Sequence, residues 1–197
     1  MAEFEGKVVV VTGSSSGIGE AVAQRCSVLG AKVVVNSASS VEAGQAVSDA
    51  LPGESIYVQA DISDQAQGHA LIDATIERFG QLDVLVNNAG WTTVVPHGDL
   101  DGLTDDIFRK TFEVNVFGTW WLTRYAIPHL RNSDDGNIVN ITSIAGLRPV
   151  GSSMIEDQSV CGGFLGQRLK PVPSTGHGEN VITCRTEGLD GGGANPC

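Results

Sequence analysis

Residues 12–19 read Thr12-Gly13-Ser14-Ser15-Ser16-Gly17-Ile18-Gly19, between a β-branched run at 7–11 and a helical stretch from about 17 to 29. A strand that passes through a glycine-rich turn into a helix suits a pyrophosphate. Gly13 permits the tight turn, Gly17 lets backbone approach the phosphates, and Gly19 lets the helix pack close to the strand. The amides and the positive dipole end of the helix N-terminus then face the anion. The setting predicts a nucleotide site, with a purely structural turn as the alternative.

Outward from this turn the chain alternates short apolar runs with helical stretches. Strands are predicted at 32–36, 55–59, 84–87 and 137–141, and helices at 41–51, from the caps at Asp61-Ile62-Ser63-Asp64 to about Phe79, and as one long helix over 104–130. Continuously apolar strands between helices imply a parallel sheet covered on both faces. Right-handed crossovers make that sheet doubly wound, and ligands then bind beyond the carboxyl ends of the strands. The expected fold class is therefore α/β, a Rossmann-like doubly wound parallel sheet, truncated after the fifth strand.

The 197 residues suffice for one domain with a core, and the net charge is −11 with no basic cluster. Nucleic acid and anionic membranes are poor partners for such a surface. No apolar run is long enough to span a bilayer, and acids stand where a signal peptide would carry bases. Cys26, Cys161, Cys184 and Cys197 form no C-x-x-C pair. Reduced thiols and a cytoplasmic location are the expectation.

The turn spacing is G-x-x-x-G-x-G, and Asn87-Asn88-Ala89-Gly90 follows the fourth strand. With Asp61-Ile62, Asn115 in the long helix and a fifth strand that runs into Ser143, the chain resembles the short-chain dehydrogenase/reductase family over about residues 1–150. The resemblance implies a nicotinamide cofactor lying across the strand ends. Gly13, Ser15, Ser16, Gly17, Ile18 and Gly19 would hold its pyrophosphate. Asp61 and Ile62 would meet the adenine, and Asn88, Ala89 and Gly90 would line the adenosine side. Hydride transfer to or from a small-molecule carbonyl or secondary alcohol would follow, with Ser143 binding the substrate oxygen and Asn115 holding a water on the proton path. The alternative for Ser143 is a strand-end hydroxyl that caps a loop, and for Asn87-Asn88 a turn that stabilises the sheet centre. The segment Asn36-Ser37-Ala38-Ser39-Ser40 carries no acid to bind a ribose 2′-hydroxyl, which favours NADP over NAD, with Asn36, Ser37 and Ser39 as donors to a 2′-phosphate. No metal is implied.

The pattern then breaks. The family's catalytic tyrosine and lysine positions fall on Glu156 and Val160, and neither Tyr57 nor Tyr125 has a lysine four residues later. An ionised Glu156 would oppose a developing alkoxide, and loss of a general acid costs about 10²–10⁴ in rate. Residues 151–197 hold ten of the 25 glycines and no legible amphipathic helix. A single strand at 179–185 and a poorly ordered glycine-rich end are expected there. So abrupt a change in composition fits a frameshift or truncation product; a divergent tail on a non-catalytic NADP(H)-binding module is the alternative. The family commonly pairs subunits through the outer face of the long helix. Phe117, Trp120 and Trp121 there suggest a homo-oligomer with a compromised interface, or ordinary core packing.

Overall fold

The four valines of β1 (Val8–Val11) are fully buried, and alternate side chains of a strand face opposite sides of its sheet. Val10 packs with Leu71, Ile72, Leu85 and Leu122, whereas Val9 and Val11 pack with Ala23, Val33, Val35 and Val47. One strand thus seeds two apolar layers. In the computed structural model the described residues are 3–96, 98–143 and the backbone of 167–168.

From β1 the chain continues through α1 (Gly17–Val28), β2 (Lys32–Ser37), α2 (Val41–Ala50), β3 (Ser55–Gln59), α3 (Gln65–Phe79) and β4 (Val84–Asn87). Then come α4 (Asp105–Phe112), a π-helical segment (Glu113–Gly118), α5 (Thr119–Leu130) and β5 (Asn137–Asn140). The sheet order is β3-β2-β1-β4-β5, parallel throughout. The order reverses between β1 and β4, which puts a crevice beyond their carboxyl ends.

Local chemistry sets the element ends. Asp64 caps α3 by accepting from the amides of Ala66 and Gln67, and Gly80 ends it at φ 75°. Thr104 caps α4 by accepting from Ile107 N–H. At the other pole of the sheet Asp83, 4% exposed, accepts from Val8 N–H at 2.7 Å and Ser133 Oγ–H at 2.5 Å. It ties β1, β4 and the turn into β5 together.

One expectation needs amendment. The stretch 104–130 is helical throughout but not one α-helix, because six residues wind with π geometry. The free edge of β5 takes a two-residue antiparallel strand, β6 (Gln167–Arg168), which pairs Asn137 with Arg168 and Ile138 with Gln167. The strand expected at 179–185 and the glycine-rich end lie outside the described residues. Of the aromatics on the long helix, Trp120 and Phe117 are 55% and 45% exposed, and Phe117 stacks on Trp121. Phe117 and Trp120 lie at the surface, and Trp121 is half-buried.

Candidate nucleotide site at the strand ends

Thr12 follows β1 and is fully buried, and its hydroxyl oxygen accepts from Asn88 N–H at 3.0 Å and Ala89 N–H at 2.9 Å. In return the Asn88 side-chain amide donates to the carbonyls of Thr12 and Gly13, at 2.9 and 3.1 Å. The glycine-rich turn and the segment after β4 are thereby laced together. Gly13 has φ 61°, and a Cβ there would lie 2.9 Å from Ala89 Cα. A Cβ on Gly19 would lie 2.5 Å from both the Gly13 oxygen and Asn88 Nδ2. These two glycines are demanded by close approach.

Gly17 differs from both. Its φ is 61°, no atom lies within 4 Å of where a Cβ would stand, and it is exposed with Ser16 and Ile18. Ser16 occupies the N-cap of α1 in extended geometry but makes no side-chain capping bond. A helix start without a side-chain cap leaves its first amides for another acceptor. Ser15 is half-buried beside it.

Asn36, at the end of β2, is 1% exposed and spends its whole side chain on the scaffold. Its amide donates to the Val58 and Ala60 carbonyls at 3.1 and 3.0 Å, and its Oδ1 accepts from Gly13 N–H at 3.3 Å. Ser37 is 5% exposed and its hydroxyl bonds the Tyr57 hydroxyl at 2.8 Å. Both side chains, expected as donors to a phosphate, are engaged within the protein here. They brace the turn, and Ser39 and Ser40 are the exposed hydroxyls of the segment.

Asp61 is half-buried, with one carboxylate oxygen accepting from Ser63 N–H at 2.9 Å and Ser63 Oγ–H at 2.7 Å. Ile62 turns its side chain into the core, 4% exposed.

At the end of β4, Asn87 donates to Asn140 Oδ1 at 2.8 Å, and its own Oδ1 is buried with no partner among the described residues. The Asn115 side chain makes a two-point clamp on Trp91, accepting from its N–H and donating to its C=O, both at 2.8 Å. The Lys110 ammonium stands 4.7 Å from the Trp91 ring centroid. The clamp gives Asn115 a backbone-holding task. Ala89 and Gly90 lie between Thr12 and this clamp. Ser143 is exposed three residues past Asn140, the register partner of Asn87, so it stands past the neighbouring strand end. Glu156 and Val160 lie outside the described residues. Thr12 and Trp91 were missed as site residues. Thr12 was visible in the opening motif, whereas nothing in the sequence marks the partner of Trp91.

Among the described residues no group of three His, Cys, Asp or Glu side chains is arranged for a metal, and no helix is long and apolar enough to cross a membrane.

The family model described as short chain dehydrogenase matches residues 7–155. A Streptomyces violaceoruber protein named as ketoacyl reductase 2 of granaticin polyketide synthase is 52% identical over 150 residues, which are 76% of this chain and 60% of that protein. Elsinochrome reductase 1 of Elsinoe fawcettii is 41% identical over 148 residues, 74% of this chain and 54% of its own length. A crystal structure of a short chain dehydrogenase from Burkholderia cenocepacia in complex with NADP superimposes with TM-score 0.74 and 36% identity, covering 80% of this chain and 64% of that one. The chain thus spans under two thirds of the length of each of these three.

Proposed function

Because this chain belongs to the short-chain dehydrogenase/reductase family, we propose that it binds a nicotinamide dinucleotide across its strand ends, as part of an oxidoreductase acting on a small-molecule carbonyl or secondary alcohol. The observation that carries this reading is the α1 N-terminus. Gly17 is open and exposed, Ser16 provides no side-chain cap, and the turn is braced from behind by Thr12, Asn36 and Asn88. Ser15–Gly19 would hold the pyrophosphate. Asp61 would take the adenine amino group on its carboxylate, with the Ile62 backbone beside it. Ala89 and Gly90 would flank the adenosine. Ser143 would bind the substrate oxygen. The cofactor, when bound, supplies the hydride.

NADP is favoured over NAD because no acid stands at the end of β2 to bind a ribose 2′-hydroxyl. With Asn36 and Ser37 engaged elsewhere, the donors left for a 2′-phosphate are Ser39, Ser40 and the hydroxyls of Ser15 and Ser16. The Burkholderia relative in complex with NADP supports the same choice.

The test is a titration with NADPH and with NADH, followed by nicotinamide fluorescence. NADPH is expected to bind the tighter of the two. Gly17→Val, which puts a β-branched side chain at positive φ over the amides, should abolish binding while far-ultraviolet circular dichroism is retained. Saturable binding of neither nucleotide would overturn the reading.

A second reading, cofactor binding without turnover, is favoured by Glu156 and Val160 standing where the family pattern has tyrosine and lysine. It predicts NADPH binding with no oxidation of NADPH across a panel of ketones and quinones, and turnover of any of them would end it.

A further inference from the structure

Gly118 has φ −59° and ψ −48°, ordinary helical values, so backbone conformation gives no reason for glycine there. In a helix interior glycine costs about 0.5–1 kcal/mol relative to alanine. The reason is space. A Cβ at Gly118 would lie 2.8 Å from the Ile62 carbonyl oxygen, 3.0 Å from Ile62 Cγ1 and 3.1 Å from the Ile62 carbonyl carbon. Two of those atoms are backbone, which yields less readily than a side-chain tip.

Gly118 closes the same π-helical segment that carries Asn115. One short segment therefore touches two loops at the strand ends. At Gly118 it rests on Ile62, next to Asp61. At Asn115 it grips the Trp91 backbone at two points. A π turn re-aims side chains relative to the α-helix on either side of it. Holding that geometry requires the segment to be seated on something rigid, and Ile62 is 4% exposed within the main core cluster.

We propose that Gly118 is a positioning residue whose missing side chain seats the π-helical segment on Ile62 and so couples the Asp61–Ile62 loop to the Trp91 loop. The coupling to nucleotide rests on the reading of Asp61 and Ile62 as the adenine end of the site; the seat itself does not. A ligand that settles Asp61–Ile62 would then also firm the loop that carries Trp91.

Hydrogen exchange at the Trp91 amide reads this directly, because that N–H is held by Asn115. In the unliganded full chain, Gly118→Ala should speed exchange at Trp91 by about tenfold through local opening, with the amides of β1 unchanged. A merely structural role would speed Trp91 and β1 alike. Gly68→Ala is the control, since a Cβ there meets only Leu122 at 3.7 Å; it should leave Trp91 exchange as it is. Ile62→Ala loosens the contact from the opposite side without a clash, and should also speed Trp91 if Gly118→Ala does not fold. Unchanged Trp91 exchange in the variants that fold overturns the proposal, as does an equal effect on β1. NADPH should slow Trp91 exchange in the parent and lose that effect in Gly118→Ala. If NADPH binds but leaves Trp91 exchange unaltered in the parent, the coupling fails. If NADPH does not bind at all, the cofactor reading fails while the unliganded exchange still decides the seat.

Discussion

Thr12 shows how one hydroxyl can hold two segments far apart in sequence. Its oxygen accepts two backbone amides in a fully buried setting, and a buried N–H left without an acceptor costs about 1–3 kcal/mol. Thr12→Val keeps the shape and orphans both amides. It is expected to destabilise by about 2–6 kcal/mol, given two such groups. Thr12→Ser keeps the acceptor and should lose only about 1 kcal/mol for the methyl. Urea unfolding of both variants checks the ordering, and equal losses would refute it. At this scale legibility was uneven. The glycines of the turn were readable because positive φ and close approach leave few other residue types. The partners of Asn36 and Ser37 were not readable, because a polar residue at a strand end looks available in sequence. Only the pairing of β2 with β3 brings the Val58 and Ala60 carbonyls and the Tyr57 hydroxyl to them.

The helices were legible where an end has its own chemistry and illegible where only packing decides. Asp64 was readable as a cap, and its two amide bonds, with that of the Gln67 side chain, hold its carboxyl below the ordinary value of 3.8. A carboxyl whose folded-state pKa is depressed contributes stability above its unfolded pKa, and loses that contribution as pH falls through the lower folded value. Asp64→Asn keeps a competent capping side chain without the charge. The stability difference between parent and Asp64→Asn should be constant above about pH 5 and shift against the parent as pH falls below 3.8. Thermal melts of both proteins across that range would show it, and a pH-independent difference would contradict the assignment. The π-helical segment gave no comparable signal. Its sequence, Glu113-Val114-Asn115-Val116-Phe117-Gly118, is compatible with an α-helix, and the extra width answers contacts with Ile62 and Trp91, the nearer of which lies 24 residues earlier.

On the scale of the whole molecule, the doubly wound parallel sheet followed from short apolar strands and the handedness of their crossovers. The pairing at the far edge did not, since Gln167–Arg168 is a two-residue polar strand with no apolar pattern to announce it. The parallel sheet divides the core into two layers that share only backbone, and this has a measurable consequence. Val35 is fully buried in the layer with Val9 and Ala23, whereas Ile72 and Leu122 are fully buried in the layer beneath α3 and α5. Ile72→Val should cost about 0.5–1.5 kcal/mol and Leu122→Ala about 2–5 kcal/mol. Combined with Val35→Ala across the sheet, Ile72→Val should add to within about 0.5 kcal/mol, because the two sites share no packing partner. Combined with Leu122→Ala in its own layer it should depart from additivity by about 0.5 kcal/mol or more, because one cavity relaxes into the other. Denaturant unfolding of the two double mutants and their singles closes both cycles. Coupling across the sheet as large as that within a layer would mean that the strands transmit side-chain strain, and that the two layers are one core.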